Sequence, residues 1–216
     1  MKAPAYLLGL VFFLFPLSLA AEESAEPQDP WALCRENVDV AERLVSIPRY
    51  LLSAISSVES GRWSEANQAR ISWPWTVMAE GRGRYLPSKS AAIAEVRALQ
   101  AKGVRNIDVG CMQINLLFHG DAFVDLEQAF DPAFNVAYAA AFLLRLREEE
   151  RSWTRAIGRY HSATPVFANR YKTKVRRAWQ AEKRDAARRL RDQRNALQEA
   201  ARLKRRDQQG DSTTAG

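Results

Sequence analysis

Soft metal ligands are scarce in this chain: two cysteines, Cys34 and Cys111, and two histidines, His119 and His161, among 216 residues. No recognisable zinc spacing joins them, so neither a metal nor any other cofactor is expected. A cysteine–histidine nucleophile pair is also a weak reading, because Cys111 belongs to a motif with another explanation. Long apolar runs are missing as well, apart from one stretch from Tyr6 to Leu17. That stretch is too short to span a bilayer comfortably. No internal repeat is present.

The same stretch follows Lys2 and precedes Ser18-Leu19-Ala20, a small-x-small pattern. Residues 1–20 therefore read as a secretory signal peptide cut after Ala20, with an uncleaved anchor as the alternative. No cysteine follows the cut, which argues against a lipid anchor. Residues 21–30 are acidic, contain Pro27 and Pro30, and read as a short disordered leader. The expected location is periplasmic or secreted, with no stable membrane anchor after cleavage. An exported chain meets an oxidising compartment, so a Cys34–Cys111 disulfide is expected, two separate buried thiols being the alternative. Such a bridge ties the first helix to the segment around Gly110.

Positive charge is unevenly spread. From Arg170 to Arg206, Lys and Arg far outnumber acids, with clusters at Arg176-Arg177, Arg188-Arg189 and Lys204-Arg205-Arg206. The pattern is helical, with a thin seam at Leu190 and Leu197. Two readings stand: a solvated helix fraying into Asp211–Gly216, or an electrostatic tether to anionic envelope polymers or a partner. Nucleic-acid binding conflicts with export, and a membrane-surface helix needs a stronger apolar face.

The remainder suits one domain, about residues 31–180, with 181–216 as a basic helical tail. The fold class expected is mainly α with a small β element. Helices are expected from Pro30 to about Ser46 with Asp29 as cap, and from Pro48 to Ser60 with Gly61 as stop. Trp73 to Pro87, broken by Gly81-Arg82-Gly83, reads as a β-hairpin. Ser88 caps a helix to about Lys102. Asp131-Pro132 starts another, with Ala137, Ala140, Ala141 and Leu144 on one face. Ser152 caps the Trp153–Arg159 segment, and Pro165 begins a final long helix.

Chemistry concentrates in three places. Glu59 falls in the last turn of an apolar helix, in Val58-Glu59-Ser60-Gly61, where the negative end of the helix dipole and apolar cover both raise a carboxyl pKa. Taken alone it reads first as a solvated surface carboxylate, with Arg62 close by to neutralise it. Next comes Gly110-Cys111-Met112-Gln113-Ile114-Asn115. Gly110 permits a backbone conformation or close approach that a side chain forbids, and Gln113 and Asn115 bring amide groups of the kind that bind sugars. Met112 and Ile114 alternate with them as in a short strand with one buried face, which also fits an ordinary edge strand, and a loop is the alternative for the segment. Third is Tyr160-His161-Ser162, where a phenol either orients a nearby carboxyl or packs in the core.

In this order and spacing these residues resemble the soluble lytic transglycosylase (SLT) domain, a goose-lysozyme-like family that cleaves bacterial peptidoglycan. The resemblance spans roughly Trp31 to Trp179. Glu59-Ser60-Gly61 resembles its first motif, and Gly110-Cys111-Met112-Gln113-Ile114 its Gly-Leu-Met-Gln-Ile, with Cys111 in place of Leu. Asn135-Val136-Ala137-Tyr138-Ala139-Ala140 is similar to its Asn- and Ala-rich segment. Arg159-Tyr160-His161-Ser162-Ala163 looks like its Ala-Tyr-Asn-Ala-Gly, with His161-Ser162 replacing Asn-Ala. The stretch from Trp73 to Gln113 resembles the branch found beside secretion and conjugation machines, a partner the basic tail could meet.

The resemblance implies a lysozyme-like fold and a one-carboxylate cleavage in which Glu59 acts as acid and then base, leaving a 1,6-anhydro product. It implies that Ser60 bonds near the acid or the substrate acetamido group and that Gln113 binds sugar amides or hydroxyls. Tyr160 is then expected to hold the rotamer of Glu59, and Met112 to touch a pyranose face. Asp108 and Glu80 are the nearest candidates for a second carboxylate, which makes a hydrolase of the same fold an alternative, and both also read as surface or turn charges. Trp73, Trp75 and Tyr85 either stack on sugars or bury themselves in the hairpin. A wall-binding assembly factor of weak activity is the reading outside enzymes.

Overall fold

The computed structural model of the chain describes residues 29–214, with side chains to residue 205. The expected signal peptide, and the leader as far as residue 28, lie outside the described residues, as does the end of the tail at 215–216.

Among the described residues, seven α-helices, six short strands and one 3-10 turn at Gly120–Ala122 form the fold: α1 Pro30–Leu44, α2 Leu51–Ser60, β1 Gly61–Ser64, β2 Ala69–Ser72, β3 Thr76–Ala79, β4 Arg82–Tyr85, α3 Lys89–Ala101, β5 Ile107–Val109, β6 Ile114–Asn115, α4 Leu126–Ala129, α5 Pro132–Glu150, α6 Trp153–His161 and α7 Pro165–Thr214. Mainly α with a small β element is the architecture observed. Most helix starts obey local capping chemistry. Asp29, Ser88, Asp131 and Ser152 each accept a backbone N–H of the first turn, and Pro30 and Pro132 occupy first-turn positions where no donor is lost.

α2 is the exception, and it carries Glu59. It begins at Leu51 rather than at Pro48, which lies in the preceding turn. Its cap residue Tyr50 adopts a left-handed φ of 67° and offers no side-chain bond. The orphan donors are satisfied instead from α1: Glu42 Oε2 accepts the Tyr50 N–H at 2.8 Å, and Oε1 accepts those of Leu52 and Ser53 at 2.8 and 3.1 Å. Gly61 does not end the helix in a left-handed turn. Its φ is −59° and it opens β1, and a Cβ there would stand 2.3 Å from the Ser57 carbonyl oxygen, so the chain leaves α2 only because the side chain is missing.

Two antiparallel sheets follow. β1 and β2 form a hairpin that the sequence reading did not anticipate, since Arg62, Glu65, Asn67 and Arg70 give it no alternating apolar face. The second sheet runs β4-β3-β5-β6. The expected hairpin is its β3–β4 pair, turned by Glu80 and Gly81, both at positive φ. The motif around Gly110 is a turn between β5 and β6 rather than a continuous strand, and only Ile114 and Asn115 pair.

Two cores result. One joins α1, α2, α5, α6 and the start of α7 around Leu51, Leu52, Ile55, Met112 and Leu143. The other lies between the larger sheet and α3, around Val77, Val96, Ile107, Val109 and Phe130. On α5 the buried face is Asn135, Val136, Ala139, Ala140, Leu143 and Leu146, so Ala137 and Ala141 face solvent and the expected stripe is rotated. The rotation has a polar cause. Asn135 is fully buried because its Nδ2 donates to the carbonyls of Val109 and Ala129, while its Oδ1 accepts the Met112 N–H.

Cys34 and Cys111 form a disulfide with Cα atoms 5.6 Å apart, joining α1 to the Gly110 turn. α7 is unbroken from Pro165 to Thr214, so no interruption of the helix marks the expected boundary at residues 180 and 181, and it continues past Asp211. Among the described residues no helix is long and apolar enough to cross a membrane.

Candidate active site

Glu59 opens onto a cleft of about 600 Å³. α2 contributes Val58 and Glu59 to it, the larger sheet contributes Met78, Asp108, Ile114 and Asn115, and the Gly110 turn contributes Gln113. Across from them stand Phe142, Tyr160 and His161 of α5 and α6, and Phe167, Arg170, Tyr171 and Lys174 of α7. Asn106, Phe118 and His119 complete the rim.

Glu59 as a residue is half-buried, and its carboxyl is enclosed. Its Oε1 accepts a hydrogen bond from the Tyr171 hydroxyl at 2.5 Å. Burial pushes its pKa up from 4.5 to about 8; the Tyr171 bond pulls it down, Asp108 adds repulsion and Lys174 attracts. At neutral pH Glu59 therefore holds a proton that it can deliver into the cleft. Burial also raises the pKa values of Tyr160 and Tyr171 well above the ordinary phenol value, so both hydroxyls stay protonated.

The Gly110 turn is fastened at nearly every peptide. Gly110 has φ 84°, and a Cβ on it would meet the Asn135 amide at 2.4 Å. The Cys111 carbonyl accepts the hydroxyls of Ser56 and Ser60, at 3.1 and 2.7 Å. The Met112 carbonyl accepts the Tyr160 hydroxyl at 2.9 Å. These bonds settle where Gln113 lies. Its φ of 49° is left-handed, and its Nε2 donates to the carbonyls of Thr76 and Gly110.

Several expected roles change accordingly. Ser60 is fully buried and bonds the turn, so it does not face the cleft. Met112 is core, and the methionine on the cleft is Met78. Tyr160 borders the cleft but bonds the turn, and the phenol that holds Glu59 is Tyr171. Sequence reasoning assigned Tyr171 no role because it lies early in the long basic helix. The available signal was its spacing with Phe167 and Lys174, four and three residues away on one face. His161 lines the cleft and stacks on Tyr171, with ring centroids 4.6 Å apart and planes 7° off parallel. Burial, and secondarily Lys174, lowers its pKa, which favours the neutral imidazole.

Asp108 faces the cleft, accepts from Asn115 Nδ2 at 2.7 Å and has its pKa raised by burial. Glu80 occupies the exposed β3–β4 turn. Asn115 borders the cleft with its amide already engaged, since its Oδ1 accepts the Leu117 and Phe118 N–H groups. Arg62 does not neutralise Glu59; its guanidinium lies 5.1 and 4.6 Å from the Trp31 and Trp73 ring centres. Trp73 is buried with its indole N–H on the Leu86 carbonyl, Trp75 packs edge-on against it, and Tyr85 donates to the Gly61 carbonyl. None of these three lines the cleft. Among the described residues no group of three or more His, Cys, Asp and Glu converges as a metal site.

Comparison with family models, with curated proteins and with solved structures finds no match to this chain.

Proposed function

We propose that the fold is lysozyme-like, of the SLT kind, and that the protein is a peptidoglycan lytic transglycosylase acting between N-acetylmuramic acid and N-acetylglucosamine. The observation that carries this reading is an enclosed carboxyl, Glu59, protonated at neutral pH and held by Tyr171 at an open cleft. Glu59 gives its proton to the bridging oxygen as the glycosidic bond breaks, and the sugar's own acetamido group shelters the cationic carbon. The resulting carboxylate is then stabilised by the Tyr171 hydroxyl and the Lys174 charge, the two groups that favour its ionised form. In that state it takes the proton of the carbon-6 hydroxyl, whose oxygen closes onto the anomeric carbon. The carboxyl is restored and no water is consumed.

Asp108 favours a second reading, because a further carboxyl in the same cleft could activate a water for hydrolysis. The products separate the two. Mass spectrometry of digested sacculi is expected to give anhydromuropeptides, lighter by one water than hydrolytic products, from the native chain and from Asp108→Asn. Glu59→Gln should lower the rate on the order of a thousandfold. Lysis that survives this change rules out the assigned acid, and reducing ends lost with Asp108→Asn point to hydrolysis.

A further inference from the structure

Arg170 and Lys174 stand one helical turn apart on the α7 wall of the cleft. Both are exposed, and neither forms an ion pair among the described residues. Neutral sugars are held by amides, hydroxyls and aromatic faces. Two uncompensated cations beside a protonated acid match a ligand that brings negative charge of its own.

The row extends beyond the cleft. Arg177 and Arg184 follow at spacings of three and seven, which keep them on the same helix face, and both are exposed without an ion pair among the described residues. From Arg170 to Arg184 this face runs about 21 Å. Between Arg170 and Arg206 there are fifteen Lys and Arg against four acids, while the rest of the chain has more acids than bases, so the net +7 arises here. Along this part of α7 the opposite face is packed on α2 and α6, burying Tyr171 and Val175. No apolar face is left there to enter a bilayer, which favours a charged polymer over a lipid surface.

We infer that Arg170, Lys174, Arg177 and Arg184 form a docking face for a carboxylate-bearing glycan, and that they select such a strand over a neutral one. The identity of the polymer rests on the transglycosylase reading, whereas its binding needs no cleavage.

The test uses the full chain carrying Glu59→Gln, alone and combined with Arg170→Gln, Lys174→Gln, Arg177→Gln and Arg184→Gln. Each protein is pelleted with purified sacculi, with chitin and, in a flotation arm, with vesicles containing phosphatidylglycerol. The fourfold change should weaken binding to sacculi about tenfold or more at low salt, leave chitin binding as it was, and lose its effect at high salt. Equal binding to sacculi by both proteins overturns the inference. So does an equal loss on chitin, or a loss confined to the vesicles. The salt titration of the Glu59→Gln chain needs no further substitution, and salt-independent binding to sacculi also overturns it. A native chain that binds in this way yet releases no muropeptides would sink the proposed reaction and leave the docking face standing.

Discussion

At the scale of residues, Glu59 is balanced between influences that titration can separate. Loss of its proton near pH 8 should bring kcat/KM down on the alkaline side. Lys174→Met removes a charge that holds the pKa down, so this limb should move to higher pH, and Asp108→Asn should move it lower. A pH–rate profile of sacculus clearance reads both shifts. Stability carries the same signature. The folded state binds the Glu59 proton more tightly than the unfolded chain, so this residue's contribution declines as pH rises from 4.5 toward about 8. Urea unfolding at the two ends of that window should show a loss on the order of a few kcal/mol in the native chain, and a smaller one in Glu59→Gln.

At the scale of elements, the decisive piece is the Gly110 turn, whose Cys111 and Met112 carbonyls are held by Ser56, Ser60 and Tyr160 while Gln113, Ile114 and Asn115 border the cleft. Gly110→Ala forces a side chain into Asn135 at a left-handed φ, and should cost on the order of 1–3 kcal/mol with activity falling in parallel. Thermal melting and clearance assays measure both. Helices with their own caps were legible in the sequence, because Asp29, Ser88, Asp131 and Ser152 act on the next few residues. The start of α2 was not, since its cap, Glu42, comes from another helix. The β1–β2 hairpin lacked an alternating pattern, and the buried face of α5 was misread because its hub is the polar Asn135. For the acid the helix position was informative, yet the phenol that holds it comes from 112 residues away.

At the scale of the molecule, the Cys34–Cys111 bridge closes a loop with a sequence separation of 77 and fastens α1 to the turn beside the cleft. The chain-entropy model gives about 4.5 kcal/mol for such a loop. Replacing both cysteines by serine should lower the melting temperature and weaken clearance, and a reductant should reproduce the loss in the native chain but leave the double variant unaffected. Disulfide-free protein that melts like the native chain would show the bridge to be energetically idle.

Tyr171, which aims the acid, and the outlying arginines are borne by one unbroken rod, which at 1.5 Å per residue extends about 75 Å. As long as the helix stays unbroken, its two ends turn together. Whatever grips the distal end thereby sets the heading of the cleft, so anchorage and aim become a single mechanical variable.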